Sequence, residues 1–216
     1  ELLDHLAIKF QKEGWSIKKM IKYILSSDTF KRSSLRDEEL LKKDPNNIYL
    51  ASFPFRRLEA EAIRDGILVA SESLETSLYG APIPIYLTEF MQGRGKPKKS
   101  GPLNGNRRRS IYLEVRRNFL EPMMTTFDRP IPFSTVGKRD VTNVPSQSLI
   151  LMNDPFVIGQ AEIMAKKLLE QKQLSFDQKI EWVYMHSFSR KPSKDEIKSA
   201  KKFISQLKEM ENIEDE

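Results

Sequence analysis

The sequence runs to 216 residues with a formal net charge of +6, 39% hydrophobic and 31% charged side chains. That suffices for one large domain or two small ones with a wide charged surface, as on packed amphipathic helices, and argues against a disordered tail or a membrane protein. Cysteine is absent, which excludes a disulfide framework, a thiolate metal site, c-type haem attachment within this segment and a cysteine nucleophile.

Glu1 already stands inside an amphipathic pattern, so the segment is expected to be cut from a longer protein, its targeting signal lost with the missing part. No run approaches the ~18 to 20 apolar residues of a bilayer span. Leu2, Leu3, Leu6 and Phe10 recur at helical spacing until Gly14, and Ser16 can cap a second run through Ile17, Met20, Ile21, Ile24 and Leu25, which predicts a helical hairpin. Asp44-Pro45-Asn46-Asn47 reads as a turn, and Phe53-Pro54-Phe55 is apolar but broken by its proline. A long helix follows, with Leu58, Ala62, Ile63, Ile67 and Ala70 on one face, and Arg57, Glu61, Arg64 and Asp65 on the other, where they can pair three or four apart.

Between residues 76 and 109, Gly80, Pro82, Pro84, Gly93, Gly95, Pro97, Gly101, Pro102 and Gly105 interrupt every period, so a long irregular insertion is predicted, most mobile around 92–106. Ser110-Ile111-Tyr112-Leu113 fits a short strand or the lead into a helix after Asn118 that holds Phe119, Met123 and Met124. Pro130, Pro132 and Gly137 make a second irregular connection. Pro145 opens a short helix, and Asn153 and Asp154 offer capping oxygens ahead of Pro155 and a clear helix through Leu168. Asp177–Phe188 is a further helix. Ser193 and Glu196 then form a capping box before the last helix, which leads into an acidic tail over about 209–216. No repeat of ~30 to 45 residues is visible.

Charge is concentrated in one place. Arg94 to Arg117 holds nine basic residues and one acidic, a local +8 against +6 for the chain, so the remainder sums to −2. The lysines at 96, 98 and 99 read as a solvated loop. Arg107, Arg108, Arg109, Arg116 and Arg117 flank an apolar Ile-Tyr-Leu and must either pair with carboxylates or face a ligand; Lys138 and Arg139 can converge with them on an anion or an acidic partner. Tyr112 and Phe119 among those cations would also suit nucleic acid, although no signature of a nucleic-acid module is present.

Signals for catalysis are weaker. His5 and His186 are the two histidines and both lie within apolar helical patterns, where a packed or capping imidazole is the simpler reading. Nucleophile-elbow, phosphate-loop and zinc-helix motifs are missing. Glu59, Glu61 and Asp65 could serve as acids or bases, yet Arg56, Arg57 and Arg64 beside them offer structural pairing, and a salt bridge is the simpler account of Lys138-Arg139-Asp140.

Several strings form a familiar series: Glu1-Leu2-Leu3-Asp4-His5-Leu6-Ala7, Arg56-Arg57-Leu58-Glu59-Ala60-Glu61-Ala62-Ile63-Arg64-Asp65, Arg108-Arg109-Ser110-Ile111-Tyr112-Leu113, Phe127-Asp128, Gly137-Lys138-Arg139-Asp140, Val144-Pro145-Ser146-Gln147-Ser148-Leu149 and Leu151-Met152-Asn153-Asp154-Pro155-Phe156-Val157. In this order, across nearly the whole chain, they resemble the planctomycete secreted domain, a family of unknown function. Met152-Asn153-Asp154 departs from the usual Leu-Asn-Ser or Leu-Asn-Asn, and Phe188-Ser189-Arg190-Lys191-Pro192 from Leu-x-Arg-x-Pro. The resemblance implies the C-terminal part of a large exported protein, secreted or periplasmic, with upstream cytochrome-associated domains as partners and haem c on a domain outside this segment. It supplies no catalytic residues.

The combined expectation is a mainly α-helical, irregular multi-helix domain over 1–216 with a long Pro/Gly-rich basic insertion and no cofactor of its own. Its expected role is a non-catalytic binding or scaffold module, with Arg107, Arg108, Arg109, Arg116, Arg117, Lys138 and Arg139 facing an anionic polysaccharide or an adjoining domain. A polysaccharide-acting enzyme using carboxylate acid-base chemistry is the alternative, and a nucleic-acid-binding domain is less favoured.

Overall fold

A computed structural model describes residues 1–211. Glu214, Asp215 and Glu216 of the expected acidic tail lie outside the described residues, while Glu209 belongs to the last helix. In chain order the helices are α1 (Leu2–Lys12), α2 (Ile17–Ser26), α3 (Glu38–Lys43), α4 (Ala60–Ala70), α5 (Pro122–Thr126), α6 (Pro145–Asn153), α7 (Pro155–Glu170), α8 (Phe176–Phe188) and α9 (Lys194–Glu211), with 3-10 turns at Gly105–Arg107 and Ser110–Tyr112. The fold is mainly α, as expected. Main-chain contacts group the residues into two compact units, Glu1–Arg57 and a larger one beginning at Leu58. No helix among the described residues is long and apolar enough to cross a membrane.

In the first unit, α1 and α2 form the predicted hairpin. Gly14 and Trp15 turn the chain through left-handed φ values of 71° and 59°, and Ser16 Oγ accepts the Lys19 amide to start α2. The short α3 was not foreseen from the sequence; its cap is Asp37, which accepts the Leu40 amide. The turn at Asp44 is built by a buried carboxylate that accepts the amides of Ile48 and Tyr49. The Tyr49 bond, helped by the Ile48 bond and the Arg36 charge, holds the Asp44 pKa below the usual range against desolvation.

The second unit is built on α4, which meets α5, α7, α8 and the Ser110–Tyr112 turn. Ala60, Leu68, Met123, Met124, Phe127 and Phe156 form its core, with Leu74, Leu103, Leu113 and Ile150 packed around them. The face expected to point inward is met in part: Ile63 and Ile67 pack against this core, but Leu58 and Ala62 are exposed, and the fully buried stripe of α4 is Ala60, Arg64 and Leu68. Arg64 belongs to the interior and not to a solvated charged face, a correction explained below by its partners.

Residues 76–109 are irregular, as predicted, but much of this stretch is pinned. Ile83 and Ile85 are buried, and Ile83 exchanges main-chain bonds with Tyr112 and Glu114, a single parallel bridge in place of the strand considered at 110–113. The Gly101 amide donates to the Ile85 carbonyl, and a Cβ at Gly101 would collide with the Pro84 carbonyl. Gly105, at φ 56°, lies so close to Arg64 that any side chain would strike the guanidinium. The helix expected after Asn118 begins only at Pro122. Asp154 caps α7 ahead of Pro155, and the Ser193–Glu196 box is present in both directions.

Candidate functional site

Arg64 is fully buried, so its guanidinium must find acceptors inside the protein. Nη1 donates to the Arg108 carbonyl at 3.0 Å and to Ser110 Oγ at 3.3 Å, and Nη2 to the Asn104 carbonyl at 2.8 Å. The Phe156 ring lies 5.0 Å below it. One turn of helix positions a second anchor: Asp65 accepts the Ser110 amide and hydroxyl, both at 2.7 Å. These two residues fix the end of the irregular segment, inside the basic run of residues 94–117, against α4.

Another anchor lies one turn earlier on α4. Arg139 donates to both carboxylate oxygens of Glu61, at 2.6 and 3.2 Å, and reaches Glu59 at 3.3 Å, while Arg129 Nε stands 3.7 Å from Glu61. Burial pushes the Glu61 carboxyl up, but the hydrogen bonds and charges of Arg139 and Arg129 prevail and hold it below its usual pKa. The salt bridge expected at Lys138-Arg139-Asp140 is thus present through Arg139. Its acids, Glu59 and Glu61, stand at the N-terminal end of α4, so part of the charge there is met by a distant segment.

The seven candidate cations separate into three groups. Arg108 donates to the carbonyls of Ser77 and Tyr79 and lies 3.8 Å from the Tyr112 ring, so its guanidinium is committed to the fold. Arg139 is bound as described, Arg109 stands 3.6 Å from Asp65, and Arg116 pairs with Glu114 at 2.8 Å. Arg107, Arg117 and Lys138 are exposed, and Arg107 helps to lower the Glu75 pKa, behind the larger effect of the Ser77 amide bond.

Two surface hollows gather part of this set. One of ≈ 410 Å³ is lined by Glu61, Arg129, Lys138 and Arg139, and one of ≈ 320 Å³ by Gly95, Glu114, Arg116 and Arg117. Val115 lines both, so they adjoin. Arg107, Arg108 and Arg109 line neither.

The side chains proposed for other chemistries are occupied. His5 Nε2 meets the Tyr23 hydroxyl at 3.1 Å, while His186 meets the Trp182 carbonyl and the Glu72 carboxylate. Arg108 lies over one face of the Tyr112 ring and Phe119 is buried, which leaves little aromatic surface for a stacked base. Sequence reasoning missed Glu121, which lines a small cavity with Arg64 and Arg129. Burial drives its pKa up, with Asp154 adding to the rise and Arg64 and Arg129 opposing it. An acid of raised pKa in a hollow is a catalytic candidate in principle, but this cavity measures ≈ 20 Å³ and cannot admit a sugar ring. Among the described residues, no group of three or more His, Asp or Glu is placed to hold a metal ion.

This geometry defines a helical domain whose irregular segments are fastened by side-chain donors and whose surface offers an arginine-lined pair of hollows. The chain belongs to the family described as PSD1, protein of unknown function (DUF1553), whose model matches residues 1–204. No curated protein and no solved structure matches it.

Proposed function

We propose that the domain is a non-catalytic docking module that seats an anionic glycan across the two hollows that share Val115. The observation behind this reading is the pairing of unequal cations there. Arg116 and Arg139 are partly neutralised by Glu114 and Glu61, whereas Arg117 and Lys138 are exposed and have no acid partner among the described residues. Cations held at a rim by internal acids orient a ligand, and unpaired ones add attraction. The resemblance to the planctomycete secreted domain supports a wider setting: an exported multidomain protein with cytochrome-associated domains upstream and haem c carried there. An acidic face of such a domain is the competing occupant. The polysaccharide-acting enzyme is less supported, because Glu59 and Glu61 both attend Arg139 and Glu121 faces a cavity of ≈ 20 Å³.

Titrating the 216-residue chain with dextran sulfate tests the reading. Replacing Arg117 and Lys138 together by Ser should weaken binding roughly tenfold at low salt, with the helical signal unchanged. The Arg107→Ser variant should bind as the parent does. Equal binding by all three proteins, or none by the parent, would remove the glycan reading.

A further inference from the structure

Arg64 presents five N–H donors to a fully buried environment, and the acceptors named above serve Nη1 and Nη2. Nε is buried and has no protein acceptor. A guanidinium donor left unsatisfied in the interior is costly. The cavity of ≈ 20 Å³ is bounded by Arg64 together with Leu103, Leu113, Phe119, Glu121 and Arg129. On the same measure one water needs roughly 10–15 Å³.

The walls also restrict the chemistry of an occupant. Arg64, Arg116 and Arg129 bring positive charge and only donors, and Glu114 and Glu121 bring acceptors, with Arg116 and Glu114 paired to each other at 2.8 Å. The ion pairs of Arg64 and Arg129 run elsewhere, to Asp65 at 3.7 Å and to Glu61 at 3.7 Å, so Glu121 is not taken up by a direct bridge. A halide would meet carboxylates and an alkali cation would meet guanidinium groups. A neutral molecule that both accepts and donates suits a wall of both signs.

We propose that this cavity is the site of one internal water, which accepts from Arg64 Nε and donates to the Glu121 carboxyl. The water completes the clasp between α4, the start of α5 and the Gly105 turn, and gives Glu121 part of the solvation that burial withholds. It serves architecture, independently of the glycan reading.

A high-resolution crystal structure of the chain should show a single peak within hydrogen-bond distance of both Arg64 Nε and a Glu121 oxygen. An empty cavity, an ion of either sign, or a direct Arg64–Glu121 bond would overturn the assignment. In solution, oxygen-17 magnetic relaxation dispersion should report a long-lived water that is kept in Glu121→Gln, whose amide oxygen still accepts, and lost in Glu121→Leu, with circular dichroism confirming that both variants fold. An amplitude that is the same in Glu121→Leu as in the parent would also refute it.

Discussion

Arg108 and Arg117 belong to the same basic run, yet they stand in opposite conditions. Arg108 donates to two carbonyls of the 77–79 segment and is stacked on Tyr112, whereas Arg117 lines an open hollow beside the paired Arg116. The difference lies in what surrounds each. A segment without helix or sheet leaves its carbonyls unpaired, and those near the interior need donors from elsewhere. Arginine, with several donors on a rigid plane, can supply two or three at once. The same device recurs: Arg64 serves Asn104 and Arg108, Arg36 serves Leu40, Asp44 and Pro45, Arg32 serves Ala51, and Lys167 serves Ser71 and Glu72. Cations in this protein are first a substitute for missing secondary structure, and only the remainder is free for a ligand.

The largest expected effect comes from removing the central donor. Arg64→Leu should leave the Asn104 and Arg108 carbonyls without their partner and lower unfolding free energy by about 3–5 kcal/mol, read from the denaturant midpoint. Arg64→Lys should recover little, since one ammonium cannot occupy both Nη positions. A loss below about 1 kcal/mol would break the idea that this guanidinium organises the segment.

Next in size is the Glu61–Arg139 pair. Each single substitution, Glu61→Gln or Arg139→Ser, should cost about 1–2 kcal/mol after allowance for its partial exposure. A double-mutant cycle should show that the two losses do not add.

Smaller again is the contrast within the run itself. Arg108→Ser should cost about 1 kcal/mol and Arg107→Ser should stay within about 0.5 kcal/mol. Equal effects would erase the distinction between fastening and free cations.

The smallest effect concerns pH. Two hydrogen bonds from Arg190, with the Ser193 amide, hold the half-buried Glu196 carboxyl at about 2, against an ordinary 4.5. Its folded pKa is depressed, so its stabilisation is present above pH 4.5 and fades as the pH falls toward about 2. Glu196→Gln should flatten the stability profile across that window and leave its slope near neutrality unchanged.

Features that depend on neighbours in sequence were legible. The α1–α2 hairpin, the Ser16 cap, the Pro145 and Pro155 helix starts and the Ser193–Glu196 box all lie where residue spacing put them. The irregularity of 76–109 was legible too, because prolines and glycines forbid a period. What spacing could not show was how tightly that stretch is held, since its fastenings come from Arg64, Asp65 and the Ile83–Leu113 bridge across long separations. Arg64 itself was misread because a charge on an amphipathic helix normally marks the wet face. Glu121 gave no signal, for its environment is assembled from several segments.

The sequence by itself determined a helical protein, a basic run beside a Pro/Gly-broken stretch, and the family series of motifs, because helix period, turn chemistry and local charge are encoded within a few residues. Tertiary structure alone decided which cations are consumed and which remain. That outcome depends on where unpaired carbonyls and carboxylates from remote segments come to lie, and no local rule contains it.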